Sequence, residues 1–359
     1  MTLPDSPRRR AARYGIGEWF GADLIDLSPA KRKQLGRFSF LQDSDALTLP
    51  QAELKAFWRR SFDTRYVQGE LAQPLCRFLS AIAPNSSCNK SGGVCSMRRY
   101  SLSENGEGSP VPGDKPATVC PLRFLENGTV FRWVAEKMLG TREPILVKEM
   151  PFLRKVQTNS EATPPADDED SRRAGRIDWI LVDPTSVGSS DLKWCALETQ
   201  GLYFSGTNWK QEFKAFAENG DSIHFPKGQR RPDYRSNGPK RLAPQLSVKV
   251  PVLRAWGKKV AVVVDGYFFD QMAEIKPSFR TARTEQDRLD QAEVVWFVVN
   301  YDAKMQLTPG NVFYSDLDKS MEALNATEPI ERGLFQRGLK TVLGDSTRHG
   351  SKVFRLTDA

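Results

Sequence analysis

The chain has 359 residues, with 52 lysines and arginines against 44 acids and a net charge of +8. Hydrophobic residues make up 39% and charged residues 27%, the balance of a globular chain and not of a disordered one. The longest apolar run, residues 294–299, is far short of the roughly 20 residues of a membrane helix, and no apolar stretch follows the arginines at 8–10. A cytoplasmic protein with no membrane association is therefore expected.

Only two histidines are present, His224 and His349, and neither has sequence neighbours suited to a histidine-metal nuclease, a zinc hydrolase or a Ser-His-Asp triad. Any catalysis is expected to rest on carboxylates and a metal.

In chain order, residues 1–70 read as a mixed, partly helical segment, with helical spacing over 51–58. Residues 71–130 hold four of the five cysteines, and 101–116 has the composition of a loop. Helical spacing returns at 131–139, followed by an extended pattern at 145–152. The polar stretch 157–175, with two prolines and a run of acids, reads as a flexible excursion because strand-like segments flank it. Residues 177–182 and 194–198 read as strands of a hairpin joined by a polar turn at 184–190.

Residues 260–264 and 294–299 are β-branched and apolar, as buried strands are. Pro244 suits the first turn of a short helix and Pro251 its end. Near the C-terminus Thr327 suits an N-cap with Pro329 in the first turn, and Ile330, Leu334 and Leu339 fall to one side. The expected fold class is α/β, with these four strands in a central sheet. The expected parts are an N-terminal segment (1–70), a cysteine region (71–130) and a core (131–359).

Cys76, Cys88, Cys95 and Cys120 lie in a loop-rich stretch poor in apolar residues, whereas Cys195 sits in an apolar run and reads as core packing. A cytoplasmic setting argues against disulfides. Four thiolates suit a tetrahedral structural metal, zinc or a single iron, which would replace a core this stretch is poorly equipped to build; the other reading is four unrelated buried thiols.

Asp178 and Glu198 are acids beside apolar strand residues, where an unpaired charge is costly and a divalent cation would offset it. An Asp, a hairpin-length gap, then Glu-x-Lys on the next strand is the PD-(D/E)xK layout, in which two carboxylates hold Mg²⁺ at the scissile phosphate; the other reading of the two acids is strand ends each paired with a base such as Arg176. Gln200 occupies the lysine's place. The segment 227–241 holds Lys227, Arg230, Arg231, Arg235, Lys240 and Arg241 against one acid, a candidate grip on DNA phosphates or a solvated surface loop.

Several short stretches occur together and in order: GEWFG at 17–21, CRFL at 76–79, CNKSGGVC at 88–95, CPLRF at 120–124, IDW at 177–179, ALETQ at 196–200 and FSG at 204–206. In them the sequence resembles the NotI-like type II restriction endonucleases. The resemblance implies a PD-(D/E)xK restriction-endonuclease-like core with a four-cysteine insertion that binds iron. It also implies a homodimer, Mg²⁺-dependent hydrolysis of double-stranded DNA and a cognate DNA methyltransferase.

Carried over residue by residue, Asp178 and Glu198 are metal ligands. Gln200 replaces the usual lysine, as in this family, and Glu149 in KEMPF matches a further active-site acid. Two other readings stay open from the residues themselves. One is a non-catalytic DNA-binding or regulatory protein built on a cysteine-metal module; the other is a nuclease acting in repair or on RNA.

Overall fold

A computed structural model of the chain describes residues 12–42, 74–154, 173–206, 209–276, 279, 281–326, 330–344 and 353. The helix expected over 51–58 lies outside the described residues, as do residues 157–172 of the polar excursion. The first sheet is antiparallel and joins β1 (Arg13–Trp19), β2 (Ala22–Asp23), β3 (Val94–Leu102), β4 (Gly108–Pro110) and β5 (Ala117–Thr118). Strand β4 falls inside the expected loop at 101–116. The Asn105-Gly106 pair supplies the turn, with Gly106 at φ 85°, and Tyr100–Leu102 then pair with Gly108–Pro110.

Helix α1 (Pro29–Gln42) and helix α2 (Thr129–Leu139) precede the second sheet. That sheet is built from β6 (Ile145–Arg154), β7 (Arg173–Val182), β8 (Trp194–Thr199), β11 (Val260–Asp265), β12 (Val294–Tyr301) and β13 (Leu307–Ser315). Strands β9 (Phe204–Ser205) and β10 (Arg231–Pro232) form a separate ribbon. The sheet order is β13-β12-β11-β8-β7-β6; β8, β11 and β12 run parallel and the outer pairings are antiparallel. Strand β7 reaches back to Arg173, so the end of the expected excursion is already strand.

Each central strand sends alternate side chains to opposite faces. Val260, Val262 and Val264 of β11 join one buried cluster, with Leu246, Val250 and Leu253 of α4 (Ala243–Ala255). Ala261 and Val263 join the other, with Val130, Phe131 and Val134 of α2. Burying each valine contributes roughly 2 kcal/mol.

Helix α3 (Trp209–Glu218) packs on α1, where a β-carbon at Gly36 would stand 2.5 Å from the Ala217 backbone nitrogen. Helices α5 (Glu285–Gln291) and α6 (Leu317–Asn325) complete the first compact unit, Met1–Asn325. No helix among the described residues is long and apolar enough to cross a membrane.

Helix α4 differs from expectation by continuing through Pro251 to Ala255. The proline removes only the bond to the Ser247 carbonyl, on an exposed side, while Val250 and Leu253 stay anchored on the sheet. The second compact unit, Ala326–Ala359, contains α7 (Arg332–Gly344), with Leu334, Phe335, Leu339 and Leu343 exposed. Thr327 and Pro329 lie outside the described residues, and the helix begins at Arg332.

Candidate active site

The register of the second sheet aligns three acids. Trp179 pairs with Leu197 and Ile180 with Ala196, so the next step of the ladder sets Asp178 opposite Glu198. Lys148 pairs with Trp179 and Met150 with Ile177, which sets Glu149 opposite Asp178. Strand alternation turns Cys195 and Leu197 towards α2, and Ala196 and Glu198 towards α4.

Glu198 is 1% exposed. Its Oε1 accepts the Asp178 backbone N–H at 3.3 Å, and its Oε2 lies 2.6 Å from Nζ of Lys249 on α4. Asp178 is half-buried, and its Oδ2 accepts the Thr199 backbone N–H at 3.2 Å. Each carboxylate is thus braced by an amide of the opposite strand. Burial, then the charge of Asp178, pushes the Glu198 carboxyl up to about 7, against the pull of Lys249. Lys249 is buried too and bonds Gln245 Oε1 at 3.1 Å.

Gln200 follows β8 directly. Its N–H donates to the Val263 carbonyl at 3.0 Å, and its Nε2 donates to Gly201 O and, at 3.3 Å, to Asn237 Oδ1. Asn237 ends the helical turn Tyr234–Asn237, which Asp233 caps through the Ser236 N–H and hydroxyl. A π-turn, Gly238–Leu242, leads from there into α4. Such turns recur at functional sites. This continuous helical segment touches the site twice, with Asn237 at Gln200 and Lys249 at Glu198.

Glu149, although opposite Asp178 in register, is exposed with φ 55°, and its carboxylate faces Lys148 Nζ at 2.7 Å and Arg176 Nη1 at 3.3 Å. Lys148, then Arg176, holds it below the usual carboxylate range. Of the basic segment, Lys227, Arg231, Arg235, Lys240 and Arg241 are exposed. Arg230 is buried, pairs with Glu212 and lies 3.7 Å from the centre of the Trp209 ring.

The four cysteines are all buried. Backbone bonds join Cys76 to Ser86 and Cys88 to Pro74, while Val119 and Cys120 both donate to the Cys95 carbonyl. The Leu79 N–H donates to the Cys76 sulfur at 3.4 Å, and the Cys95 thiol donates to the Gly93 carbonyl at 3.6 Å. Burial pushes the Cys88 thiol up to about 11 and raises Cys95 and Cys120 as well.

Among the described residues, however, no group of three or more His, Cys, Asp or Glu side chains is placed to hold a metal ion. The expected four-thiolate site is therefore not formed in this arrangement, in which burial favours neutral thiols. The Asp178–Glu198 pair does fit a divalent cation. Mg²⁺ takes one or two carboxylates and completes its shell from phosphate and water, and two facing acids, one buried and one half-buried, gain from a cation between them.

Lys249 and Asn237 were not legible as site residues from spacing alone. The available signal was a lysine in the apolar stripe Leu246, Lys249, Val250, Leu253, at the 3,4,7 spacing of a buried helix face.

A mixed α/β fold with a facing carboxylate pair on adjacent strands is consistent with a restriction-endonuclease-like protein. The family model described as restriction endonuclease NotI matches residues 62–314, most of the chain, and the chain belongs to that family. It is a type II restriction endonuclease, a site-specific deoxyribonuclease acting on double-stranded DNA. The family implies a divalent metal cofactor. No curated protein matches the chain. Family membership decides against the non-catalytic binding protein and the repair or RNA nuclease.

Proposed function

We propose that this endonuclease cuts DNA at the Asp178–Glu198 pair, on a PD-(D/E)xK core. The observation that supports this most is Glu198: a carboxylate buried in a central strand, opposite a second acid, with each acid braced by the other strand's amide. The strands of its sheet all fall within 131–359, the stretch assigned to the nuclease core.

Asp178 and Glu198 would hold Mg²⁺, which when bound polarises the scissile phosphate and lowers the pKa of water. Gln200, fixed by Asn237, orients the attacking water or a phosphate oxygen through its amide. Water attacks phosphorus in line and gives up a proton to solvent, while the bond from phosphorus to the departing sugar oxygen breaks on the opposite side and that oxygen takes a proton from solvent. Glu149 supports the water from β6 once DNA draws away Lys148 or Arg176. Lys227, Arg231, Arg235, Lys240 and Arg241 grip backbone phosphates, which positions the duplex without reading its sequence.

The same reading includes a homodimer and a cognate methyltransferase whose modification blocks cutting. It includes a structural iron or zinc site at Cys76, Cys88, Cys95 and Cys120, for which the four sulfurs would have to close from the positions they hold here; the Leu79 N–H aimed at Cys76 supports it. Such a donor stabilises a thiolate. Metal entry would have to expel the thiol protons.

The test is digestion of unmethylated DNA by the purified chain with Mg²⁺, beside Glu198→Gln. The wild type is expected to give discrete fragments. The variant should cut about 1,000-fold more slowly, the several kcal/mol that a positioned metal supplies, while still binding DNA. Equal cutting by both would remove Glu198 from the mechanism.

A further inference from the structure

Helix α4 carries a lysine where its pattern calls for an apolar residue. Leu246, Lys249, Val250 and Leu253 are all buried on its sheet-facing side. Desolvating an ammonium is costly, so such a lysine is stable only beside an acid. That acid is Glu198, at 2.6 Å. Gln200, at the strand position where a lysine would stand, is a neutral amide held by Asn237 and brings no charge to the carboxylates.

We propose that Lys249 is a positioning residue for cleavage: it is the resident cation of the Asp178–Glu198 pair, delivered from α4 instead of from the strand. The inference rests on the carboxylate pair being the cleavage site. Three features of the geometry carry it.

Lys249 holds Oε2 on the helix side, so Oε1 stays turned to β7 and Asp178, where a cation between the two acids needs it. Two carboxylates against one ammonium also leave a negative site even with the lysine in place. The third feature is the donor set. Among the described contacts Nζ serves Glu198 and Gln245, and an ammonium has a third N–H for a phosphate oxygen. A lysine suits this role better than an arginine, because its compact charge pivots on a flexible stem.

One consequence separates this role from simple support of the fold. Lys249 and an incoming divalent ion compete for the negative charge of Glu198. Removing the lysine should therefore tighten cation binding while slowing cleavage. A loosened site would lose both.

The experiment uses the full chain as wild type, Lys249→Met, Lys249→Arg and Glu198→Gln. Cation binding is read without turnover, as the Ca²⁺ concentration that raises the unfolding temperature. Cleavage is read as kcat and KM with Mg²⁺. For Lys249→Met, kcat is expected to fall about 100-fold with KM within about 3-fold, the size of a lost orienting contact. Its Ca²⁺ midpoint should drop several-fold, and Lys249→Arg should recover kcat to within about 10-fold of wild type.

A folded Lys249→Met that cuts within about 3-fold of wild type overturns the proposal. So does joint loss of cleavage and Ca²⁺ response that arginine does not rescue. Should methionine prevent folding, Lys249→Gln, which keeps a donor for Oε2 without the charge, carries the same expectations. The Glu198→Gln arm keeps the two ideas apart: normal cutting there removes the carboxylate reading itself, whereas its loss beside a normal Lys249→Met removes only Lys249.

Discussion

Two buried acids in this chain each sit against a base, and they are built for different ends. Glu212 on α3 faces Arg230, one acid to one base, with the guanidinium laid over Trp209. Glu198 on β8 faces Lys249, but Asp178 stands opposite it across the ladder, so two acids share one base. The first cluster is neutral and closed by a permanently charged, planar group stacked in place. The second keeps a negative charge and is braced on only part of its surface. Depth of burial does not separate them, since all four side chains are buried, Glu198 and Lys249 at 1% and 4% exposed and Glu212 and Arg230 at 8% and 3%. The ratio of acids to bases, and the kind of base, does.

The comparison breaks most visibly at Arg230. If its charge serves the fold, Arg230→Met leaves Glu212 buried without a partner and costs about 3–5 kcal/mol. For a unit of this size that is a fall in unfolding temperature of roughly 5 °C. Cleavage in the cold should stay near wild type, and adding Glu212→Gln should recover much of the stability. A variant that melts normally yet binds DNA poorly would return Arg230 to the nucleic-acid surface and dissolve the contrast.

Arg230 also marks where the sequence stops being informative. The run at 227–241 shows six positive charges, but linear charge does not say that Arg230 is the one that folds against Trp209, 21 residues upstream in α3. The strands were legible because β-branched, apolar segments at 260–264 and 294–299 have few other uses, and they are the buried strands β11 and β12. Asp178 and Glu198 stood out because acids beside such strands need a reason.

Lys249 did not stand out, because its partner lies 51 positions away and only the α4–sheet packing brings them together. The end of α4 was misplaced because a proline's local penalty of about 3 kcal/mol was outweighed by apolar contacts on the sheet. At the cysteines, composition suggested a metal site, while the arrangement of the sulfurs depends on long-range packing that spacing does not encode.

A smaller effect tests the exposed remainder of the basic run. Arg235, Lys240 and Arg241 lie on the segment that delivers Asn237 and Lys249 to the site, so phosphate contacts there would seat the duplex against the carboxylates. Replacing all three by glutamine is expected to flatten the slope of log affinity against log salt by up to about 2.7, at roughly 0.9 for each lost phosphate contact. The loss should be similar for cognate and random DNA, because phosphate contacts carry no sequence information. An unchanged slope would leave these residues as solvated surface.

Asp265 supplies a third kind of buried acid and the smallest expected effect. It ends β11, is 1% exposed, and its carboxylate accepts the backbone N–H groups of Phe268, at 2.7 Å, and of Thr118. No lysine or arginine salt bridge reaches it among the described residues. Burial outweighs the amides and lifts its carboxyl from the ordinary 3.8 to about 6. A folded value above the unfolded one means the charged form is disfavoured by folding. The contribution is therefore full below about 4 and is lost as pH rises through about 6. Between about pH 5 and 7 the loss is roughly 1 kcal/mol. Asp265→Asn, whatever its absolute stability, should lose this part of the pH dependence when unfolding is followed in denaturant at both values. If the slope survives the substitution, the amides alone suffice to keep Asp265 charged. The contrast between acids paired with bases and acids held by backbone would then carry no energetic weight.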